Sequence, residues 1–168
     1  MTDVISSSYQ LIDIDDEWQA VHQATLIFVL QNGQVLLIRK KRGLGAGKVN
    51  GPGGKLEPNE TSQQCAHREI QEELCVTVNE SVNRGRLRFQ FMDSYSLDVQ
   101  VFVANVYTGV PTETEEAIPL WFDVDDIPFS EMWEDDRIWL PRVLAGENVN
   151  GRFIFDGDAM RDHDIVFS

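Results

Sequence analysis

The sequence predicts a mixed α/β fold of the α+β type, with a mixed β-sheet sandwiched between helices. Apolar runs with the alternation or the length typical of strands outnumber the helical segments. The two kinds of segment alternate in places, and no internal repeat is present. With 168 residues the chain is long enough for one domain with a sizeable core, and a second full domain is not expected.

The first 22 residues are the least regular part of the chain. They are mixed in character and acidic around Asp13 to Glu17, with a few apolar residues that can dock on the body of the protein. We therefore interpret residues 1–22 as an N-terminal extension of uncertain order and residues 23–168 as the domain. The chain does not open with a basic segment followed by an apolar one, so we expect a cytoplasmic protein.

A β-hairpin and an irregular loop are predicted between Ala24 and Gly54. Two β-rich runs, A-T-L-I-F-V-L and V-L-L-I-R, flank Asn32 and Gly33, and an Asn-Gly pair in this position is a strong hairpin signal. Residues 43–54 contain six glycines and one proline, which predicts a loop without regular structure. Five of the fourteen basic residues lie in residues 39–48. They fit either an anion-binding loop or solvated charges at a strand end, and both interpretations stay open.

A helix is predicted after this loop. Thr61 and Gln64 fit a capping box at its start, and Ala66, Ile70 and Leu74 recur at helical spacing as one apolar stripe. The stripe predicts that one face of the helix packs in the core. On a neighbouring face, repulsion within a group of three glutamates destabilises an isolated helix by roughly a few tenths of a kcal/mol per pair. These residues are Glu69, Glu72 and Glu73.

Cys75 stands at the end of this helix, where a left-handed residue is common. Glycine suits that conformation, whereas a residue with a Cβ costs roughly 1 kcal/mol or more there. Either Cys75 accepts the strain or the helix ends in another turn. Cys65 and Cys75 cannot form a disulfide across a helix, because ten residues of helical rise separate them by ~15 Å. Both are expected to be free thiols.

The remainder of the chain is predicted mainly as strands. Alternating patterns predict strands from Arg86 and from Leu97, and the second is mostly apolar. A short strand is expected at residues 121–123, and a closing hairpin is expected in residues 152–167. These segments complete the mixed sheet.

Composition and charge limit the classes of partner that the protein can bind. The chain is 42% hydrophobic, and no apolar run is long enough to cross a bilayer. A net charge of −14 disfavours duplex nucleic acid and anionic membranes as partners, because so acidic a surface repels both. We expect a small-molecule partner and a monomer or small homo-oligomer.

The segment from Gly54 to Val76, G-K-L-E-P-N-E-T-S-Q-Q-C-A-H-R-E-I-Q-E-E-L-C-V, has the pattern of a metal site. Carboxylates one helical turn apart on a rigid helix can converge on hard divalent cations, which take oxygen ligands. Such a cation would relieve the repulsion between the glutamates and neutralise phosphate charge. The glycine-rich loop lets backbone approach phosphates, and Lys40, Lys48 or Lys55 can supply positive charge. The alternative is a solvated acidic helix face.

This segment resembles the signature of the Nudix hydrolases, with Cys75 in place of the family's glycine as the one departure. The resemblance implies the Nudix fold and a Mg²⁺-dependent hydrolysis of a nucleoside diphosphate linked to another moiety, with Mn²⁺ as a substitute ion. It implies that Arg68 pairs with Glu60 and holds the loop against the helix. One glutamate would orient or deprotonate the attacking water. The implied metal ligands are Glu69, Glu72, Glu73 and the carbonyl of Gly53.

Glu116 aligns with a further acid that the family often uses as a ligand or base. On the sequence alone, an ordinary loop charge is an equal alternative for Glu116.

Four further stretches resemble a MutT-like branch of this family that acts on oxidised purine nucleoside triphosphates. They begin at Lys40, Asp98, Ile127 and Gly151, and the resemblance covers roughly residues 24–167. It implies conversion of 8-oxo-dGTP and 2-hydroxy-dATP to the monophosphate and pyrophosphate, and hence sanitation of the nucleotide pool. The implied substrate-binding residues outside the base pocket are Thr25, Lys40, Asn50, Gly53, Gly54, Lys55 and Phe89.

The implied base pocket consists of two adjacent aspartates, Asp135 and Asp136, flanked by Trp133 and Trp139. Two close carboxyl groups titrate as a pair, so one can keep a proton and donate while the other accepts. A tryptophan can stack on the base. Alternatively, this segment is an exposed acidic helix start whose tryptophans lie in the core.

Some positions depart from the pattern of this branch and leave other functions open. Leu44, Val49 and Leu97 trim the expected pocket wall, and Glu134 adds a third acid beside the aspartate pair. A Nudix pyrophosphohydrolase acting on another nucleoside diphosphate derivative is one alternative, which the Trp133 to Trp139 segment disfavours. A nucleotide-binding module without catalysis is the other, which the intact glutamates disfavour.

Overall fold

The computed structural model of the protein describes residues 8–168. Within that range, nine strands form one sheet, accompanied by two α-helices and two short 3₁₀ turns. The strands are β1 (His22–Gln31), β2 (Gln34–Lys40), β3 (Val49–Asn50), β4 (Gly53–Lys55), β5 (Val82–Phe91), β6 (Ser96–Ala104), β7 (Ala117–Asp123), β8 (Val149–Asp156) and β9 (Ala159–Phe167). The helices are α1 (Ser62–Leu74) and α2 (Asp136–Leu144), and the 3₁₀ turns are Leu11–Asp13 and Phe129–Glu131.

The sheet is mixed, with strand order β3-β2-β1-β6-β5-β8-β9, and β4 and β7 pair with β1 and β2. The pairs β1–β6 and β5–β8 are parallel, and the other pairs are antiparallel. This arrangement confirms the predicted fold class.

The first hairpin forms as predicted. Asn32 and Gly33 both have positive φ, 52° and 76°, as the tight turn requires, and Gln31 pairs with Gln34 across it.

Alternating side chains of β1 divide the core into two layers. Ile27 and Val29 pack in the layer that contains the apolar stripe of α1, whereas Phe28 packs in the layer that contains Trp139 of α2. Because successive strand residues point to opposite faces, the sheet separates the two helices.

Helix α1 begins with the predicted capping box. The Gln64 N–H donates to Thr61 Oγ1 (3.1 Å), and the Thr61 N–H donates to Gln64 Oε1 (3.0 Å). Ala66, Ile70 and Leu74 are fully buried, which confirms the predicted core face.

The helix ends at Cys75, which adopts the strained left-handed conformation with φ 60° and ψ 30°. The loop before β7 then satisfies carbonyl groups of the last turn. The Thr112 N–H donates to Leu74 O (2.9 Å), and Thr114 Oγ1 donates to Glu73 O (2.7 Å). Both cysteines are free thiols, with Cys65 buried and Cys75 exposed.

Strand β7 is longer than the predicted residues 121–123. It pairs with β2 along its whole length, from Ala117 opposite Lys40 to Asp123 opposite Gln34. Pro119 interrupts the strand pattern in the sequence, but β7 pairs only with β2 in the described range, and an edge strand tolerates proline.

The described part of the N-terminal segment packs on the sheet. Ile14 is 1% exposed, and Arg152 Nη1 donates to Leu11 O (3.2 Å) and Ile14 O (3.3 Å). The division at residue 22 stays a prediction, and residues 1–7 of the predicted extension lie outside the described range. Neither helix in that range has the length and apolarity needed to cross a bilayer.

Candidate active site

Arg68 ties the loop before α1 to the helix. Its Nε and Nη2 donate to the two carboxylate oxygens of Glu60 (2.7 and 2.9 Å), and Nη2 also donates to Lys55 O (3.1 Å). Arg68 Nη1 donates to Glu69 Oε1 (2.9 Å). The hydrogen bond from Arg68 is the main cause that lowers the pKa of Glu60 to about 2. The structure thus contains the Arg68–Glu60 pair that the resemblance implied.

Three carboxylates converge beside this pair. Glu69, Glu73 and Glu116 each place a ligand oxygen within 4.8 Å of the others. Glu73 is only 5% exposed, and its Oε2 is buried without a hydrogen-bond partner among residues 8–168. We call these three residues the glutamate cluster.

The electrostatics of the cluster fit a divalent cation. Burial, followed by the charge of Glu69, raises the pKa of Glu73 to about 8, and the nearby N–H of Gly53 offsets part of this effect. Burial also raises the pKa of Glu69, against the opposing effect of Arg68. Acids held so close with an unpartnered oxygen are destabilised when ionised, and hard oxygen ligands of this kind suit Mg²⁺ or Mn²⁺.

Glu72 is not brought into the cluster. Glu69 and Glu73 lie one above the other at i and i+4, whereas Glu72 lies round the helix toward solvent. It is exposed, and its Oε2 accepts from Arg68 Nη1 (3.1 Å). A metal-binding role for Glu72 stays a prediction.

Glu116 reaches the cluster because its loop caps α1. Its N–H donates to Thr114 Oγ1 (3.2 Å), and that hydroxyl also bonds the carbonyl of Glu73. Thr114 was not predicted as a site residue. Its contact is long-range and follows no sequence spacing, so no local signal was available.

Two glycines of β4 allow close approaches, Gly53 to the backbone of β1 and Gly54 to the Glu69 carboxylate. A Cβ on Gly53 would lie 1.9 Å from Thr25 O, and one on Gly54 would lie 2.4 Å from Cδ of Glu69. Only glycine fits at Gly53, where the contact is with backbone, whereas a side chain at Gly54 would displace the Glu69 carboxylate.

The basic residues of positions 39–48 divide into two groups. Four form ion pairs, Arg39 with Glu131, Lys41 with Glu113, Arg42 with Glu116 and Lys48 with Asp158. Lys40 differs, since its Nζ donates to Leu44 O (2.8 Å) and it lines the cavity described next. Burial lowers the pKa of Lys40, and Glu73 opposes this effect. Four of the five residues thus pair with acids, and an anion-binding role for Lys40 stays a prediction.

A cavity of about 290 Å³ lies next to the glutamate cluster. Leu44 and Leu97 line it as expected, whereas Val49 is fully buried in the core and is absent from the lining. Val49 packs instead in the same core layer as Phe28 and Trp139, which line the cavity, so its effect on the pocket wall stays a prediction. The lining includes every predicted substrate-binding residue: Thr25, Lys40, Asn50, Gly53, Gly54, Lys55, Phe89, Trp133, Asp135, Asp136 and Trp139.

Two buried aspartates at the start of α2 face this cavity. Asp135 is 2% exposed and Asp136 is 9% exposed. Burial raises the pKa of both, and the charge of Asp135 raises that of Asp136 further. The charge of Glu134 also raises the pKa of Asp135, as the smallest of the causes. Glu134 is exposed, and its Oε2 accepts from the Met160 N–H (3.3 Å).

The two tryptophans have different positions. Trp139 is fully buried, packs edge-on against Phe28 and donates from Nε1 to Asp135 Oδ2 (2.8 Å). Trp133 is half-buried, and Lys48 Nζ lies 5.2 Å from its ring centroid. Both tryptophans line the cavity. Trp139 is the buried one and holds Asp135, whereas Trp133 is the more exposed of the two.

Several cavity residues were not predicted. Phe91, Tyr95, Met132 and Phe155 line the cavity with the predicted set. The alternation of β5 was the available signal, because Phe91 shares a strand face with Phe89.

Comparison with known proteins agrees with this geometry. The model of the NUDIX domain matches residues 20–143. The chain is 46% identical over 143 residues to the oxidized purine nucleoside triphosphate hydrolase of Danio rerio, covering 84% of this chain and 88% of the relative. It is 43% identical over 145 residues to the enzyme of the same name from Mus musculus, covering 86% and 90%. The fold matches the crystal structure of the MutT protein from Bacillus halodurans with a TM-score of 0.76 at 23% identity, covering 86% of this chain and 97% of that chain. The chain therefore belongs to the Nudix hydrolase family.

Proposed function

We propose that the protein hydrolyses oxidised purine nucleoside triphosphates, such as 8-oxo-dGTP and 2-hydroxy-dATP, to the monophosphate and pyrophosphate. The observation that carries this proposal is the single cavity that the paired aspartates line together with Lys40, Gly53 and Gly54, which lie beside the glutamate cluster. The names of the relatives from Danio rerio and Mus musculus support it. The consequence in the cell would be removal of damaged precursors from the nucleotide pool.

Asp135 and Asp136 are proposed to read the base. Because burial raises both pKa values, the pair can hold one proton near neutral pH, so that one carboxyl donates and the other accepts. An oxidised purine changes the donors and acceptors on its edge, and a pair that can exchange its proton matches more than one such edge. Trp133 would pack against the base, and Asn50 can add a hydrogen bond.

The glutamate cluster is proposed to hold Mg²⁺, with Mn²⁺ as a substitute. Nudix hydrolases generally use divalent metal ions. The carboxylates of Glu69, Glu73 and Glu116 converge, and the buried Glu73 Oε2 has no hydrogen-bond partner among the described residues, so the cluster suits such an ion. Glu72 and the carbonyl of Gly53 are further proposed ligands. When bound, the ion neutralises phosphate charge and favours ionisation of the attacking water.

The chain's own residues would position the triphosphate and move the proton. Lys40 lines the cavity near Glu73 and can contact a phosphate oxygen as a point charge. Lys55 is exposed at the cavity rim and can add a second. Arg68 and Glu60 keep the loop against α1, so that Gly53 and Gly54 stay close to the cluster. One glutamate of the cluster would accept the proton of the attacking water.

A panel of nucleotides tests this proposal. Purified protein with Mg²⁺ should release pyrophosphate from 8-oxo-dGTP or 2-hydroxy-dATP faster than from dGTP or dATP. Equal rates on all four would refute the sanitising function while leaving Nudix chemistry in place. A dinucleoside polyphosphate and a nucleotide sugar belong in the panel, since faster hydrolysis of either would favour another substrate class.

We also propose a cytoplasmic monomer or small homo-oligomer whose partner is the nucleotide and not duplex nucleic acid or a membrane. The net charge of −14 supports the exclusion of polyanionic partners. Size-exclusion chromatography with light scattering, and fractionation of the source cells, would test these statements.

A further inference from the structure

Tyr95 lines the cavity from the turn between β5 and β6. It precedes Leu97 by two residues, and Leu97 and Val99 on β6 also line the cavity. Side chains two residues apart along a strand share a face, which accounts for the direction of Tyr95. Its ring packs on Phe91 with 5.9 Å between centroids, and Phe91 packs in turn on Trp133 at 6.1 Å. Tyr95 and Trp133 thus form two aromatic walls of the cavity, and both pack against Phe91.

The backbone of Tyr95 is held on both sides. Its N–H donates to Asp93 Oδ1 (3.0 Å), and its carbonyl accepts from the Phe91 N–H (2.9 Å) and Gln90 Nε2 (3.1 Å). Gln90 is itself buried and accepts at Oε1 from Trp18 Nε1 (3.0 Å). The turn is therefore fixed partly by a residue of the N-terminal segment.

The hydroxyl of Tyr95 is held by a residue at the start of β1. His22 Nδ1 lies 3.1 Å from Tyr95 Oη, and the two rings are tilted with 5.7 Å between centroids. The neighbouring Val21 N–H donates to Ser96 Oγ (2.8 Å), which ties the same two segments together. Burial raises the pKa of Tyr95, so its hydroxyl is neutral at physiological pH and can both donate and accept.

We propose that Tyr95 is a further substrate-binding residue that contacts the purine base, and that His22 is a positioning residue that orients the Tyr95 side chain. This inference rests on the proposed function, because it assigns a second aromatic wall to the same base pocket. It also gives the first residue of β1 a role in substrate binding. Tyr95 has no part in holding the metal or the phosphates, so its contribution falls on substrate affinity and not on the chemical step.

Steady-state kinetics with 8-oxo-dGTP test the role of Tyr95. Tyr95→Ala removes the wall and should raise KM for 8-oxo-dGTP about 10-fold while kcat stays within about 2-fold, because uniform binding is lost. Tyr95→Phe and His22→Ala each remove the same exposed hydrogen bond and should raise KM about 2- to 3-fold. The double variant should be no worse than either single variant, since the two changes share one interaction.

Tyr107 provides the matched control. Its hydroxyl donates to Gln31 Oε1 (3.1 Å), and its ring packs near Trp121 in the α1 layer, away from the cavity. Tyr107→Phe should leave KM unchanged, and melting temperatures of all variants should be recorded. An unchanged KM in Tyr95→Ala, or a fall in kcat alone, would overturn the assignment. Additive effects of Tyr95→Phe and His22→Ala would overturn the positioning role of His22.

Direct binding separates this inference from the proposed function. Titration calorimetry with the product 8-oxo-dGMP requires no turnover, and Tyr95→Ala should weaken its binding about 10-fold. If the wild-type protein binds 8-oxo-dGMP but hydrolyses neither triphosphate, the proposed function fails, and weaker binding by the variant still supports Tyr95. Equal affinity of wild type and variant refutes Tyr95 whatever the activity. If the wild type binds no 8-oxo-dGMP, both the base pocket and this inference fail.

Discussion

Glu73 in the glutamate cluster and the paired aspartates are all buried acids with raised pKa values, but the two sites differ in what can stabilise these acids. In the cluster, Glu73 carries a buried oxygen without a hydrogen-bond partner among the described residues, and three carboxylates converge. In the pair, Asp135 already accepts from Trp139 and lies in an apolar cavity. The first arrangement favours a cation, whereas the second favours a retained proton. Burial of acids alone therefore does not predict a metal site.

The largest expected effect comes from Glu73→Gln. This change keeps the shape of the side chain but removes the charge that would bind the metal. Turnover should fall by at least about 10³-fold, which pyrophosphate release measures. Glu72→Gln is the comparison variant, and its effect should be smaller because Glu72 lies outside the cluster. Full activity of Glu73→Gln, with the fold intact by circular dichroism, would remove Glu73 from the metal site.

The pH dependence of the free energy of unfolding, measured without metal, should reveal the raised pKa of Glu73. The folded-state pKa of Glu73, about 8, lies above its ordinary value of 4.5. The protonated acid is therefore favoured in the folded state, so its contribution to stability is present below pH 4.5 and is lost as pH rises to about 8.

In chelator at pH 8, Glu73→Gln should be more stable to urea than wild type by roughly 2–4 kcal/mol, and the difference should shrink toward pH 4.5. Adding Mg²⁺ should stabilise only the wild type. If the two proteins lose stability in parallel as pH rises, the raised pKa of Glu73 is not the cause.

Asp135→Asn should change base preference more than catalysis. Asparagine keeps an oxygen that can accept from the Trp139 N–H, but its NH2 group is a permanent donor. Residues 135 and 136 can then no longer exchange a proton. The ratio of kcat/KM for 8-oxo-dGTP over 2-hydroxy-dATP should shift by about 10-fold, in line with one altered hydrogen bond to a base. Glu134→Gln serves as control, because Glu134 bonds Met160 and should leave the ratio unaltered. A constant ratio in Asp135→Asn would argue against the pocket.

The smallest expected effect concerns Cys75→Gly. The left-handed conformation at Cys75 costs an L-residue roughly 1 kcal/mol, which glycine avoids. Unfolding in urea should show a gain of about this size with turnover unchanged. Lost turnover would mean that Cys75 affects the chemistry and not only the end of the helix.

Features with local causes could be predicted from the sequence, and features made by long-range contact could not. The Asn32–Gly33 turn and the Thr61 cap depend on a few neighbouring residues, and both appear as predicted. The position of Glu116 depends on a loop that caps a distant helix, so its two sequence interpretations were equal. Trp139 lines the cavity as predicted, but its full burial depends on the packing of α2 on Phe28, which no local pattern indicates.

The capping loop also has a consequence for folding kinetics. Glu69 and Glu73 come together as soon as α1 forms, but the Thr114 hydroxyl reaches the Glu73 carbonyl across 41 residues of sequence. Contacts of such separation form only after the intervening strands are in place. The three-carboxylate site therefore exists only in the folded chain, and a metal ion cannot act as a template for the early helix. Mg²⁺ should slow unfolding while leaving the refolding rate nearly constant.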